Sequence, residues 1–337
     1  MLNFKNDYSE GAHPRVLEAI AALNLEGNVG YGADPYCQRA AGLIRDLCCA
    51  PDAAVHFFLG GTSANLTAIA AFLRPWEAVI APVSGHINVH EGGAVEASGH
   101  KILAVPTADG KLYPADLEMV AEQHADSAMV LPRLVYLSNA TELGTVYTKA
   151  ELTALSECCQ QLGLLLFLDG ARLGTGLTSF ACDLTLPDLA TLTDAFYLGG
   201  TKNGALMGEA MVITNPALQS WFFRAMKQRG SVLAKGFLLR AQFEALLRDG
   251  LYWDLARHAN AMAQTLQSGL ALKGYTFLHE SPTNQIFPIF PDEQLPALSQ
   301  LCRYEIWEKT DSARTTIRLV TSFATQEAHI QTLLQAL

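Results

Sequence analysis

Residues Leu164–Gly174 read LLLFLDGARLG, a short apolar run that delivers an aspartate, Asp169, and then an arginine, Arg172, as it ends. Five successive apolar residues suit a strand buried on both faces, which is the pattern of a parallel sheet flanked by helices. Ligands of such sheets bind at the carboxyl ends of the strands. A carboxylate emerging there needs a partner, because burying it unpaired is costly. Two readings stay open: an Asp169–Arg172 ion pair that finishes the strand, or an Asp169 that faces a cationic ring nitrogen.

Outward from this stretch, short apolar runs alternate with helical patterns. Strands are expected at Val55–Leu59, Ala78–Ala81, Ile102–Val105, Leu134–Leu137, Leu164–Leu168, Ala195–Leu198 and Ala210–Ile213, with helices at Ser63–Leu73, Pro114–Gln123 and Lys149–Leu162. This alternation predicts α/β architecture with a largely parallel sheet. From about Gln242 the texture changes. A long helical segment, Leu251–Leu272, precedes short strands at Thr276–Leu278, Gln285–Pro288, Glu305–Glu308 and Thr316–Val320. The chain therefore divides into an N-terminal segment (1–40) whose loops KNDYSEGAHP and NVGYGADP reach the active site, a large domain (41–245), and a small C-terminal α+β domain (246–337).

Composition limits the possible functions. The chain has 337 residues, half of them hydrophobic, enough for a sizeable core. A formal charge of -10 opposes a nucleic-acid surface, which needs basic groups to neutralise phosphates. Seven cysteines in two adjacent pairs and three singles, without C-x-x-C, suit neither a zinc cluster nor a disulfide framework. The start MLNFKNDYSEG has no apolar signal core, and LGLLLFL (Leu162–Leu168) is too short to span a bilayer. These features predict a cytoplasmic protein with no membrane partner.

Three other stretches carry chemistry. In FFLGGTSANLTAIAAF (Phe57–Phe72) a strand passes through Gly60, Gly61, Thr62 and Ser63 into a helix, whose free N–H groups, macrodipole and hydroxyls make an anion site or a plain helix cap. In APVSGHINVHEGGAV (Ala81–Val95) the ring of His86 could lie flat on a ligand. The His86/His90 spacing also suits zinc, but no H-E-x-x-H pattern or third ligand accompanies it, so no metal is expected. In LGGTKNGALMGEAM (Leu198–Met211) one amine, Lys202, stands among glycines that would let a flat group approach. It is either a surface lysine in a turn or a covalent one. Lys202 lies 33 positions after Asp169, room for one crossover helix and a strand, so both reach one sheet edge. Lysine, anion cradle and ring-facing aspartate together are what Schiff-base chemistry with pyridoxal phosphate requires.

In this order, NDYSEGAHP, YGADP, GTSAN, SGHINVHE, LDGARLG, the lysine turn and IRLVTS resemble the low-specificity threonine aldolase and β-eliminating lyase family of fold-type-I pyridoxal-phosphate enzymes. The likeness runs nearly end to end. It implies a three-layer, transferase-like domain with a mostly parallel seven-stranded sheet and a smaller α+β domain. It also implies that Lys202 condenses with the cofactor aldehyde, Asp169 pairs with the ring nitrogen, Gly60, Gly61 and Thr62 hold the phosphate, and His86 stacks on the ring. Arg172 and Arg318 would bind the substrate carboxylate. Asn6 would replace the serine of the family's Ser-Asp pair, and Tyr31 would lie near the substrate. A homodimer or homotetramer with shared sites is implied, with Arg229 or Lys235 reaching a partner's phosphate.

The implied reaction is aldol cleavage of a β-hydroxy-α-amino acid to glycine and an aldehyde. In one place the sequence departs from the family: many members carry a Thr-His pair where YLSNATELGTVY has Thr141-Glu142. Glu142 could serve as the base if burial raised its pKa, or the role falls to His86. A β-eliminating lyase would use the same residues but release a keto acid and ammonia. A non-catalytic binding protein would not need the covalent amine.

Overall fold

The computed structural model describes residues 1–32 and 34–337; Ala33 of the YGADP motif lies outside the described residues. Seven strands form the main sheet: β1 (Ala54–Phe58), β2 (Glu77–Pro82), β3 (Ile102–Val105), β4 (Leu131–Ser138), β5 (Leu165–Asp169), β6 (Ala195–Gly199) and β7 (Glu209–Ile213). Their order is β1-β7-β6-β5-β4-β2-β3. β7 pairs antiparallel with both neighbours, and the other pairings are parallel. Every residue of β2, β5, β6 and β7 is buried, as two-sided cover demands.

The period-2 alternation of β4 shows how the layers arise. Val135 and Leu137 enter a core with Leu117, Leu152 and Phe243, whereas Leu134 and Tyr136 enter one with Ala68, Ile69 and Phe222. Local chemistry sets the helix ends. Pro114 opens Pro114–Gln123, Thr148 and Glu151 close a capping box on Lys149–Leu162, and Gly163 stops that helix at φ +66°.

The expected strands and helices appear, Ile102–Val105, Pro114–Gln123, Lys149–Leu162 and Leu251–Leu272 unchanged and the others with ends moved by one to three residues. The first of the expected helices starts at Gly61 rather than Ser63, with Gly60 as its extended N-cap. The free N–H groups of the first turn therefore belong to Gly61, Thr62 and Ser63.

The C-terminal region forms a small antiparallel sheet from Thr276–Phe277, Gln285–Ile286, Pro288–Pro291, Glu305–Lys309 and Arg314–Val320. Its core joins Ile286, Phe290, Ile317 and Leu319 to Phe4 and to Ala263, Leu266 and Leu270 of the helix Leu251–Leu272. The first turn of that helix, with Leu251, Tyr252 and Leu255, packs into the large core, so one helix fixes the small sheet against the large one. Leu2–Asn3 pairs in parallel with Cys302–Arg303, and the Val320 N–H donates to Phe4 O (2.8 Å), which ties the N-terminal segment to this sheet. Among the described residues no helix is long and apolar enough to cross a membrane.

Candidate active site

The sheet order brings its chemistry to one edge. Gly60–Thr62 follow β1, His86 follows β2, Glu142 follows β4, Asp169 ends β5, Lys202 follows β6, and Glu209, opening the reversed β7, starts at the same edge. These residues and Arg172 line a cavity of about 180 Å³.

Asp169 is 4% exposed and fully engaged. Its Oδ2 accepts from Tyr136 Oη (2.7 Å) and Asn65 Nδ2 (2.9 Å), and its Oδ1 accepts from the Ala171 N–H (2.9 Å). Burial alone would push its pKa up. The Tyr197 dipole, the Ala171 N–H, Tyr136 and Asn65 outweigh that and hold it below the usual carboxylate value. Tyr197 acts by proximity, since its buried hydroxyl has no hydrogen bond of normal geometry. The two readings of LDGAR are now separated, because Arg172 pairs with Asp7 and not with Asp169. Arg172 Nε and Nη2 meet Asp7 Oδ2 and Oδ1 at 2.8 and 3.0 Å, and Asn284 Nδ2 supports Asp7 at 2.9 Å.

Lys202 makes no salt bridge among the described residues, and its Nζ lies 5.8 Å from the Tyr8 ring centre. Burial and the Arg172 charge lower its pKa, against the pull of Asp7, Asp169 and Glu209. The sequence reading of its glycines needs correction. A Cβ on Gly200 would sit 2.7 Å from Gly208 O and 2.9 Å from Phe243, one on Gly199 would collide with the Ala171 and Gly170 carbonyls, and Gly204 turns at φ +90° against Leu255. These glycines let β6 cross the end of β5 and close the turn, and the space of their missing Cβ atoms is taken by protein atoms rather than left to a ligand. The open space lies at Gly60, where a Cβ would meet nothing within 4 Å; at Gly61 one would come within 3.0 Å of Tyr197 Oη. Ser63 Oγ turns back to Gly60 O (3.0 Å), so its hydroxyl is spent on the cap.

Around the mouth, His86 Nδ1 meets Glu91 Oε1 at 2.8 Å. Exposed His90 lies with its ring centre 5.5 Å from that of His86. Among the described residues no three His, Cys, Asp or Glu side chains gather into a metal-ligating group. Glu142 Oε1 accepts from the His86 N–H (3.1 Å) and Ser138 Oγ (2.8 Å), while Oε2 has no partner. Burial and the nearby Asp169 charge raise its pKa. Arg318, in Arg314–Val320, sits 5.4 Å from the Trp307 ring centre with a buried, unpartnered Nε. Burial and the Arg172 charge lower its pKa.

Asn6, Tyr31, Lys235 and Arg318 do not line the cavity of this protomer. Asn6 Oδ1 caps its own turn at Tyr8 N and Ser9 Oγ. Tyr31, at φ +58°, is exposed beside the Lys227 ammonium, with its N–H on Ala234 O. Lys235 is exposed, and Arg229 is half-buried with an unpartnered Nε. The reading of the sequence passed over Asn65, Tyr136, Tyr197 and Glu209. Glu209 accepts from Gly200 N (3.0 Å) and Thr201 Oγ1 (2.8 Å), and burial pushes it up to about 8. Its place before an apolar strand was the only signal in the sequence.

A family model described as beta-eliminating lyase matches residues 4–292. The chain belongs to the β-eliminating lyase family. The low specificity L-threonine aldolase of Pseudomonas aeruginosa is 34% identical over 298 residues, covering 88% of this chain and 86% of that protein. A solved threonine aldolase structure from Leishmania major matches with a TM-score of 0.98 and 46% identity, covering 99% of this chain and 98% of that one. An aspartate aminotransferase structure from Thermus thermophilus, 18% identical with a TM-score of 0.74 over 100% of this chain and 90% of that one, shares the fold alone. As a member of this family the chain is a lyase of the pyridoxal-phosphate-dependent, fold-type-I class.

Proposed function

We infer that this lyase cleaves β-hydroxy-α-amino acids of the threonine type to glycine and an aldehyde, using pyridoxal phosphate. The observation that carries the reading is one cavity holding a half-buried Lys202 with no salt bridge among the described residues, an Asp169 whose pKa is held low, and the open Gly60–Thr62 helix start. The relatives' names support the same reaction.

The residues present fit the cofactor. The helix start offers free N–H groups to a phosphate beside the orphaned Tyr197 hydroxyl, and Asp169 offers a carboxylate to a protonated ring nitrogen. Lys202, its pKa lowered by burial, is placed to be the nucleophile that would hold the cofactor. When bound, pyridoxal phosphate supplies the electron sink for carbon–carbon cleavage.

The chain's own groups do the rest. Arg172, held rigid by Asp7, and Arg318, with an unsatisfied Nε, orient the substrate carboxylate and so fix which Cα bond is exposed to cleavage. Glu142, with a raised pKa and one free oxygen, takes the β-hydroxyl proton. His86 covers the ring face. A neighbouring subunit completes the site in a homo-oligomer, which accounts for the exposed positions of Tyr31 and Lys235.

Product analysis tests the reaction. L-threonine or its allo isomer should give glycine and acetaldehyde in equal amounts. A keto acid with ammonia would establish β-elimination instead, the second activity that the family's description names.

A further inference from the structure

The asparagine of GTSAN and the glutamate of SGHINVHE close on each other in the fold. Asn65 is fully buried on the helix Gly61–Phe72, and the Glu91 side chain is fully buried after β2. One amide nitrogen, Asn65 Nδ2, reaches two carboxylates: Glu91 Oε1 at 2.8 Å and Asp169 Oδ2 at 2.9 Å. The same Glu91 Oε1 lies 2.8 Å from His86 Nδ1. A continuous chain therefore runs His86–Glu91–Asn65–Asp169, from the histidine at the cavity wall to the aspartate at its floor.

The donor inventory dictates what this chain does. An amide nitrogen has two hydrogens and no lone pair to offer, so Asn65 spends one hydrogen on each carboxylate. Glu91 Oε1 can only accept, so the His86 nitrogen facing it must carry a hydrogen. The other tautomer would set lone pair against lone pair at 2.8 Å, on a carboxylate that is itself fully buried.

We propose that Glu91 and Asn65 are positioning residues that lock His86 as its Nδ1–H tautomer and tie it to Asp169, so that His86 meets the ligand with a lone pair on Nε2. With Nδ1 spent on Glu91, Nε2 is the only ring nitrogen left to the cavity, and it accepts a hydrogen bond. Such a site favours substrates that bring an O–H donor on the β-carbon, its hydrogen resting on Nε2 in the bound substrate before Glu142 takes the proton, over those that lack one. A rotated or flipped imidazole would present an N–H instead and repel the same hydroxyl hydrogen. Asn65 keeps Glu91 and Asp169 in register, so the histidine at the wall and the aspartate at the floor hold a fixed relation. The kinetic consequence rests on the aldol-cleavage reading; the tautomer does not.

The test is nitrogen NMR of the full-length protein labelled with ¹⁵N-histidine, with His86 assigned by the signal lost in His86→Asn. The wild type should show a protonated Nδ1 and a bare Nε2. Glu91→Leu should move His86 toward the Nε2–H form and lower kcat for threonine at least about tenfold, by analogy with the loss caused by a misoriented catalytic imidazole, while the cofactor's visible band persists. A wild-type His86 protonated on Nε2 would overturn the proposal even if the variant failed to fold, and so would an unchanged tautomer in a folded Glu91→Leu. A wild type that keeps the Nδ1–H form but does not cleave threonine would leave the lock standing and remove the aldolase reading.

Discussion

Replacing Asp7 by Asn leaves the side chain's size unchanged and removes one charge from the most buried ion pair of the site. Asp7 is 1% exposed and accepts three hydrogen bonds, from Arg172 Nε, Arg172 Nη2 and Asn284 Nδ2. The asparagine turns an NH₂ toward one of these donors and leaves the Arg172 guanidinium without a counter-charge. Breaking a buried pair from one side costs about 3–5 kcal/mol. For 337 residues the entropy of unfolding is about 0.7 kcal/mol per kelvin, so the melting midpoint should fall by about 4–7 °C.

The pH dependence has a definite sign. Burial would raise the Asp7 pKa, but Arg172 and Lys202 hold it below its ordinary value. Its contribution is therefore complete above the unfolded carboxylate value of about 3.9 and is lost as pH falls through the lower folded value. Thermal melts by circular dichroism should show a constant gap between wild type and Asp7→Asn from pH 8 to about pH 5. The gap should narrow only below about pH 4. Equal midpoints at pH 7, or a gap that closes between pH 5 and 7, would refute the assignment.

The remaining expectations concern the cavity. Gly61→Ala places a methyl 3.0 Å from Tyr197 Oη and should weaken pyridoxal phosphate binding at least about tenfold in equilibrium dialysis, a cost typical of overpacking. Glu142→Gln should lower kcat by about a hundredfold or more. The acidic limb of the wild-type pH–kcat profile, placed above the usual carboxylate range by the raised Glu142 pKa, should vanish with it. Arg318→Lys loses the planar fork and should raise KM for threonine about tenfold and lower kcat as well, because the carboxylate is held less firmly in its cleavage orientation, read from steady-state kinetics.

Strand-end chemistry was legible in the sequence because β-structure buried on both faces leaves a plain mark. An apolar run that ends in Asp169, or in glycines before Lys202, announces both the strand and the edge it points to. Helix boundaries at Pro114 and Gly163 were legible for similar local reasons. Pairings across long chain separations were not. Nothing in NDYSEG says that Asp7 will take Arg172 165 positions away, and nothing in GTSAN says that Asn65 will bridge Glu91 and Asp169. The glycines beside Lys202 were misread because one sequence pattern serves two needs, room for a ligand and room for a crossing backbone. Only the neighbours of each missing Cβ tell them apart. Asn6, Tyr31 and Lys235 carry motif positions, yet the single chain does not bring them to its own cavity.

The central claim is that Lys202 is the covalent amine, and it is tested most directly by the visible absorption spectrum of the purified protein before and after borohydride reduction, followed by peptide mapping. The account expects a yellow protein whose band disappears on reduction, with the cofactor's mass fixed to the peptide that contains Lys202. A protein that stays colourless when pyridoxal phosphate is added, or a label fixed on any other lysine, would contradict it.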